Sequence, residues 1–397
     1  MKRHGNLWPE LVSFRNLLQA AQQAARGKRG LANVARFRFD LERQLCRLQD
    51  ELTTKTYEPG PYHTFEICEP KRRLISAAPF RDRVVHHALC NVLEPIFERC
   101  FVFDSYACRK GKGTHAAVAR FQSFARRHGY VLKCDVRKFF PSIDHELLKS
   151  NLARKIKDID VLWLIARIID GSNPQEPVLR WYPEDDLLTP SERRRGLPIG
   201  NQTSQFFANV FLNPFDHFVT ETIRVPGYVR YCDDFAIFGD DKPWLAHVRE
   251  RCRQFLSTLR LTLHPDKSVI SPVKHGCRFL GYRVFPHHRR LPRSNLVRFR
   301  RRLRAMQRAF AKGAIDTRSI HRRLVSWIGH ALHANTERLR ADILADTIFV
   351  RAATARAETV WGRVGIEFCV AAPGTIIPGT PARPTATGTH PTTGTTT

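Results

Sequence analysis

The sequence predicts an α+β fold in which helices flank an antiparallel sheet, and three observations support this. Tyr228–Gly239 contains two short apolar runs, rich in aromatic and β-branched residues, on either side of an acidic pair, which indicates a β-hairpin. Val131–Cys134 indicates another strand, which ends at Asp135. Towards both ends of the chain, up to about residue 58 and from Arg293 to about Ala355, apolar residues recur at helical spacing.

The composition indicates an anionic partner. Among 397 residues, 65 Lys and Arg oppose 37 Asp and Glu, which gives a formal net charge of +28. An excess of this size favours binding to nucleic acid or to an anionic surface. No apolar run approaches the ~18 residues of a membrane span, and the N-terminus has no apolar signal-peptide core. A cytoplasmic protein without a membrane partner is therefore expected.

Metal sites built on cysteine or histidine are not expected. The ten cysteines include no Cys-x-x-Cys pair, which favours reduced thiols over zinc ligands. The adjacent histidines at 86–87 and at 287–288 have no second ligand pair at useful spacing.

The carboxylates of the predicted hairpin are better candidates. Asp233 and Asp234 would lie close together at its tip, and two such charges stay ionised together only where cations compensate them. Carboxylates bridged by Mg²⁺ are what a two-metal phosphoryl transfer requires. An acidic pair in a loop is more often a solvated turn. The third carboxylate, Asp135, with Phe139 and Phe140 soon after it, favours the catalytic interpretation.

This combination resembles motifs A and C of reverse transcriptases, with motif C at residues 231–234 (Tyr-Cys-Asp-Asp). The resemblance implies a right-hand polymerase of fingers, palm and thumb, with an antiparallel palm sheet, flanking helices and a helical thumb. It implies that Asp135, Asp233 and Asp234 are catalytic and hold two Mg²⁺ ions, or Mn²⁺ instead, together with the backbone carbonyl of Val136. It also implies that Phe140 is a steric gate against the ribonucleotide 2′-hydroxyl, so that dNTPs are used and the product is DNA.

Basic residues of the fingers are expected to contact phosphates. Residues 62–78 alternate as strands, and there Arg73, and after it Lys71, would contact the triphosphate of the incoming nucleotide. Asp104–His115 is a basic glycine turn that leads into a helix. By the resemblance, its contacts to template or nucleotide phosphates would come from Arg109, Lys110 and Lys112.

Two later segments match further motifs of the family. Leu261–Ser268 resembles motif D, in which Lys267 is either a general acid near the leaving pyrophosphate or a surface lysine. The segment Phe279-Leu280-Gly281 is expected to grip the primer terminus while forming a short buried strand.

Motif B departs from the usual pattern of the family. Residues 196–213 predict a glycine turn that opens an apolar helix. Most reverse transcriptases carry Gln-Gly and then Ser-Pro, whereas this chain has Ile199-Gly200 and then Ser204-Gln205. By the resemblance, Ile199, Gly200 and Gln205 contact the nucleotide. Replacing the glutamine by Ile199 removes a polar check on the incoming nucleotide.

The altered motif B resembles the reverse transcriptases of diversity-generating retroelements, which are bacterial or phage-encoded. Those enzymes copy a template-repeat RNA with errors at adenines, for mutagenic retrohoming. The resemblance implies a template RNA, an RNA or DNA primer and a small basic accessory protein as partners. One alternative is a reverse transcriptase of a phage-defence or retron-like system with ordinary fidelity. Another is a nucleic-acid-binding protein that has lost catalysis, against which the three aspartates count.

The expected domains follow the motifs. Residues 1–60 form an N-terminal helical extension, in which Gly27–Gly30 separates one helix from a second that carries Phe39, Leu41, Leu45, Leu48 and Leu52. Residues 61–285 form fingers and palm, with one long helical region from Asp144 to Asp170. Residues 293–368 form a basic helical thumb, and the Gly/Pro/Thr-rich tail at 371–397 is expected to be disordered.

Overall fold

The computed structural model describes residues 3–68, 72–173, 175–182, 185–345, 347–351 and 368–370. The chain divides into two compact units, residues 1–290 and 291–397. No helix in these ranges is both long and apolar enough to cross a lipid bilayer. The tail at 371–397, for which disorder was expected, lies outside the described residues.

The N-terminal extension is helical, as predicted. Its helices are α1 (Trp8–Leu11), α2 (Phe14–Ala24), α3 (Ala32–Phe39) and α4 (Leu41–Thr53). The predicted second helix is broken at Asp40, whose backbone leaves the helical region (φ −124°, ψ 47°). Leu45, Leu48 and Leu52 are buried, whereas Phe39 at the end of α3 is 95% exposed. Phe39 was therefore wrongly included in the apolar face.

The fingers begin with an antiparallel hairpin of β1 (His63–Ile67) and β2 (Arg73–Ala77). Helix α5 (Phe80–Glu98) follows, and α6 (Thr114–Ala125) begins directly after the glycine turn, as predicted. Helix α5 packs against α2, and its residues Val84, Ala88 and Leu89 are fully buried.

The central sheet of the first unit contains β3 (Tyr130–Asp135), β4 (Gly227–Tyr231), β5 (Asp234–Gly239) and β6 (Val269–Pro272). The strand order is β4-β5-β3-β6, and all neighbours are antiparallel. The hairpin and the strand before Asp135 were both predicted, and both are confirmed.

The helices after β3 are α7 (Phe139–Ser142), α8 (His145–Ala153), α9 (Ile159–Asp170), α10 (Thr189–Glu192), α11 (Gln202–His217) and α12 (Lys242–Thr258). Successive residues of β5 point to opposite faces of the sheet, so Phe235 and Phe238 lie on different faces. Phe235 contacts Phe215 of α11 on one face, and Phe238 contacts Phe121 of α6 on the other. The β4–β5 hairpin is thereby fixed between two helical layers.

The region from Asp144 to Asp170, predicted as one long helix, is two helices. The second begins at Asp158, whose carboxylate accepts hydrogen bonds from the N–H groups of Val161 (3.2 Å) and Leu7 (2.6 Å). An aspartate that caps a helix favours a new start over continuation. The same carboxylate ties the N-terminal extension to α9.

A three-stranded antiparallel sheet of β7 (Cys277–Phe279), β8 (Tyr282–Val284) and β9 (Arg289–Arg290) completes the first unit. The second unit contains α13 (Arg293–Ala311), α14 (Thr317–Ala331), α15 (Glu337–Ala345) and the parallel pair β10 (Phe349–Arg351) and β11 (Phe368–Val370). The predicted apolar faces are buried in α13 and α14, except that Leu332, one residue beyond α14, is 57% exposed. The apolar pattern expected between Arg293 and about Ala355 includes Leu332, and for this residue the expectation is wrong.

Candidate active site

The acidic pair lies at the tip of the β4–β5 hairpin. Cys232 and Asp233 form the turn, and Cys232 has a left-handed backbone (φ +57°). Asp234 opens β5 and stands in register with Asp135, the last residue of β3. The N–H of Val136 donates to the carbonyl of Asp233 (3.1 Å), which fastens the end of β3 to the turn. The sheet register thus brings the three carboxylates together at one edge.

Burial and mutual repulsion perturb the two hairpin carboxylates. Burial raises the pKa of Asp233 to about 6, and the charges of Asp135 and Asp234 add to the effect. The pKa of Asp234 is also raised, mainly by burial, although Lys133 opposes the shift. Negative charge is therefore disfavoured at this edge unless a cation compensates it.

Two lysines supply part of that compensation. Lys267 donates to Asp135 (Nζ–Oδ1 2.7 Å), and Lys133 donates to Asp234 (Nζ–Oδ1 2.7 Å). For Lys267 the sequence left two alternatives open, a general acid near the leaving pyrophosphate or a surface lysine. Lys133 was missed, because a single lysine in an apolar strand gives no sign of the face to which it points.

The donor set suits a hard divalent cation. Carboxylate and carbonyl oxygens are the ligands that Mg²⁺ prefers, and the carbonyl of Val136 accepts no hydrogen bond from any described residue. No group of three or more His, Cys, Asp or Glu side chains in the described ranges already converges as a ligand set. In this arrangement Asp135 and Asp234 are each held by a lysine. The chemistry of these residues therefore fits the predicted divalent ion. In this structure, however, the carboxylates of Asp135 and Asp234 point to Lys267 and Lys133.

A buried ion pair supports the hairpin from behind. Arg230 of β4 and Asp216 of α11 have fully buried side chains, and the guanidinium donates twice to the carboxylate, at 2.6 Å each. Its other donors reach Asn209 (3.2 Å), the carbonyl of Cys232 (3.0 Å) and Ser105 (3.0 Å). All five N–H groups are therefore used, and one of them holds the Cys232–Asp233 turn. Burial acts to lower the pKa of Arg230, but the charge and the hydrogen bonds of Asp216 together, with smaller contributions from Tyr228 and Cys232, raise it.

Sequence reasoning missed this ion pair. Arg230 interrupts an apolar strand pattern and Asp216 interrupts an apolar helix. A charged residue at each of these buried positions is the only sign in the sequence that a buried ion pair is present. Which charge partners which depends on how α11 packs beneath the sheet, and local patterns do not contain that information.

The motif B turn is joined to the β1–β2 hairpin. The carbonyl of Ile199 accepts the N–H of Ser76 (3.0 Å), and the side-chain amide of Asn201 bonds to the backbone of both Ser76 and Ala78. Gly200 has φ +126°, a backbone conformation that favours glycine, and a Cβ there would lie only 3.2 Å from the side chain of Ile75. The side chain of Ile199 is half-buried, and Gln205 is exposed on the first turns of α11.

Two further predicted residues lie on the fingers hairpin and after β3. Arg73, the first residue of β2, is exposed and stands opposite Ile67. Lys71 lies outside the described residues. Phe140 is half-buried against Phe139, and its carbonyl accepts the N–H of Leu197 (3.0 Å).

The basic glycine turn is arranged differently from the prediction. Arg109 is paired with Glu98 (Nη2–Oε1 2.6 Å) and donates to the carbonyls of Val102 and Ser105, and only 6% of its side chain is exposed. These contacts make Arg109 a support of the turn, and they engage all three nitrogens that a phosphate contact would need. Lys110 is exposed. Lys112 donates to the carbonyl of Phe103 (2.9 Å).

The predicted primer-grip segment is the tip of a hairpin and not a single strand. Leu280 (φ +45°) and Gly281 (φ +89°) form the turn between β7 and β8. Two successive left-handed residues are typical of a tight type I′ turn. Phe279 is buried, and its ring is stacked on Phe121 (centroids 4.7 Å apart). The turn at Leu280 and Gly281 is therefore the part of the segment that can reach a primer.

Known proteins resemble the chain over this region. A family described as "Reverse transcriptase (RNA-dependent DNA polymerase)" matches residues 66–284. Protein YkfC of Escherichia coli is 27% identical, over 61% of this chain and 71% of that protein. The group II intron-encoded protein LtrA of Lactococcus lactis is 22% identical, over 61% of this chain and 50% of that protein. Among solved structures, an apo telomerase from Candida tropicalis aligns with a TM-score of 0.44 and 13% identity, over 61% of this chain and 59% of that one.

The family match covers more than half of the chain and includes all three carboxylates, the motif B turn and the β7–β8 hairpin. The chain spans only half the length of LtrA. The chain belongs to the reverse transcriptase (RNA-dependent DNA polymerase) family.

Proposed function

We propose that the chain copies an RNA template into DNA by extending a primer with dNTPs. The observation that carries the proposal is the register of Asp135 opposite Asp234 at the tip of the β4–β5 hairpin, with Asp233 beside them. Divalent ions, Mg²⁺ or Mn²⁺, held by these carboxylates and the Val136 carbonyl, would stabilise the attacking and leaving oxygens of an in-line displacement.

Other side chains have proposed roles around this centre. The ammonium of Lys267 would give a proton to the leaving pyrophosphate, and its contact with Asp135 at 2.7 Å supports this role. Arg73 would neutralise the triphosphate, and Phe140 would exclude the 2′-hydroxyl of a ribonucleotide. Lys110 and the Leu280–Gly281 turn would contact the template and primer.

We further propose that the enzyme belongs to a diversity-generating retroelement and makes errors opposite template adenines. Support comes from Ile199, whose apolar side chain occupies the position where most of the family has glutamine, on a turn fixed by Ser76. An apolar residue there cannot hydrogen-bond the incoming nucleotide. On this proposal a template-repeat RNA and a small basic accessory protein are the partners.

The experiment is primer extension by purified protein on a defined RNA template, followed by sequencing of each product. Asp233→Ala is the control for the chemistry and should abolish extension. Errors concentrated opposite adenine, and reduced in Ile199→Gln, would support the mutagenic assignment. Faithful copying at adenine would contradict it and favour a phage-defence or retron-like system. No extension with any divalent metal or partner would contradict the polymerase itself.

A further inference from the structure

A small polar cavity lies beside the motif B turn, where three separate segments meet. Its volume is about 100 Å³. The lining residues come from the turn after α2, from α5 and from the start of α11; the polar ones used below are Lys28, Arg83, His86, His87, Gln202 and Gln205. None of the lining residues is a carboxylate.

The basic residues are crowded and lack partners of opposite charge. Neither Lys28 nor Arg83 forms an ion pair with any described residue; Arg83 donates only its Nε, to the carbonyl of Ala78 (2.8 Å). Burial, and then the charge of Arg83, lowers the pKa of Lys28. Burial, and then Lys28 and Arg83, lowers that of His87. The cavity therefore concentrates positively charged side chains that no carboxylate neutralises.

His86 adds an unpartnered buried polar group. Its side chain lines the cavity and is 2% exposed, and its Nδ1 has no hydrogen-bond partner among the described residues. A buried polar atom without a partner destabilises a fold by about 1–3 kcal/mol, so such atoms are normally satisfied. An orphaned ring nitrogen at a polar cavity therefore points to a ligand.

The start of α11 favours an anion at the same place. Helix α11 has 16 residues, and no side chain caps its first N–H groups, because the amide of Asn201 bonds to Ser76 and Ala78 instead. Uncapped N–H groups and the helix dipole attract negative charge. Gln202 and Gln205 on the first turns line the cavity.

We propose that this cavity, formed by Lys28, Arg83, His86, His87 and the N-terminus of α11, binds a phosphate group. A volume of about 100 Å³ leaves room for a phosphate group. The phosphate belongs either to the backbone of a bound nucleic-acid strand or to free inorganic phosphate or pyrophosphate. The first source rests on the proposed function, whereas the site itself does not.

The site would give the N-terminal extension a direct role at the motif B turn. Lys28 lies on the turn between α2 and α3, and Gly200 of motif B also lines the cavity. A phosphate bound there would bridge the two segments. The extension would then help to hold a strand where motif B meets the nucleotide.

The test compares Lys28→Ala with Arg29→Ala, which removes the neighbouring exposed charge from the same turn but not from the cavity. Binding of a labelled RNA-template/DNA-primer duplex is measured without nucleotides between about 50 and 200 mM KCl. If the duplex supplies the phosphate, Lys28→Ala lowers the slope of log affinity against log salt by about 0.7–0.9. At about 0.1 M salt this corresponds to roughly fivefold weaker binding. Arg29→Ala should leave both quantities unchanged.

A second arm measures the melting temperature with inorganic pyrophosphate. An unchanged duplex slope, together with stabilisation by pyrophosphate that Lys28→Ala alone abolishes, would support the site with free phosphate as its ligand. If Lys28→Ala and Arg29→Ala behave alike in both arms, the proposal is overturned. Neither arm requires primer extension, so a failure here is distinct from a failure of the polymerase proposal.

Discussion

Removing the guanidinium of Arg230, which supports the β4–β5 hairpin, should destabilise the first unit strongly. In Arg230→Met the carboxylate of Asp216 stays fully buried, and of its partners only the Tyr228 hydroxyl, 2.6 Å away, remains. Removing one member of a buried ion pair lowers the free energy of unfolding by about 3–5 kcal/mol. The loss of a donor to the Cys232 carbonyl should also loosen the turn that carries Asp233.

Urea denaturation, followed by circular dichroism, measures the change. Arg15→Met, at an exposed position on α2, is the matched control and should change the free energy of unfolding by less than about 0.5 kcal/mol. The double variant Arg230→Met/Asp216→Leu has no buried charge, so it should be at least about 1 kcal/mol more stable than Arg230→Met alone. Recovery should be partial, because Tyr228 and Asn209 lose their partners.

Two results would refute this reasoning. A loss of less than about 1 kcal/mol in Arg230→Met would mean that the Asp216 charge is not buried in solution. A double variant less stable than Arg230→Met would mean that the neighbouring hydrogen bonds, and not the uncompensated charge, dominate. Arg230→Lys adds a further check: an ammonium cannot reproduce the five-donor fork, so it should not restore wild-type stability.

Three further predictions concern single side chains. Lys267→Ala should lower kcat roughly 100-fold or more if its ammonium is the general acid. The control variant Lys274→Ala, at an exposed position nearby, should leave kcat unchanged. Equal kcat values for the two variants would make Lys267 a surface residue. Phe140→Ala should reduce discrimination against ribonucleotides roughly 10- to 100-fold in single-nucleotide extension, and unchanged discrimination would exclude the steric gate. Burial, with His87 and Arg83, lowers the pKa of His86 to about 3, so its stabilising contribution is complete above pH 6.5 and is lost as the pH falls towards 3. Between pH 7.5 and 5.5 His86→Gln should therefore lose about 1.4 kcal/mol less stability than wild type in urea denaturation, and His63→Gln, an exposed histidine, should match wild type.

The features that sequence alone could predict are those encoded within a few neighbouring residues. The β4–β5 hairpin and β3 follow from short apolar runs that end at carboxylates, and the motif B turn follows from a glycine before an apolar helix. These patterns were sufficient to bring Asp135 and the hairpin carboxylates into one site, because an antiparallel register leaves few alternatives for where the strand ends meet.

What sequence could not predict depends on contacts between distant segments. Lys133 and Arg230 are each a lone charge in an apolar strand, and their partners follow only from the packing of the sheet. Arg109 was assigned to phosphate because it lies in a basic turn, but Glu98, eleven residues earlier, neutralises it. The break between α8 and α9 depends on Asp158, which also binds the N–H of Leu7. The spacing of apolar residues along a helix gives no information about such a contact with a distant segment.

The strand order of the central sheet has a consequence for synthesis of the chain on the ribosome. Strand β3 lies between β5 and β6, and both neighbours are encoded about 100 or more residues after it. At about 5–20 residues per second, β3 waits roughly 5–20 seconds for its first partner. During that time the apolar side chains of Val131, Leu132 and Cys134, all buried in the finished fold, lack their sheet neighbours. The strand order that places Asp135 beside the hairpin carboxylates thus leaves β3 exposed to misassociation while the chain emerges. The three carboxylates come together only after the β4–β5 hairpin has been made.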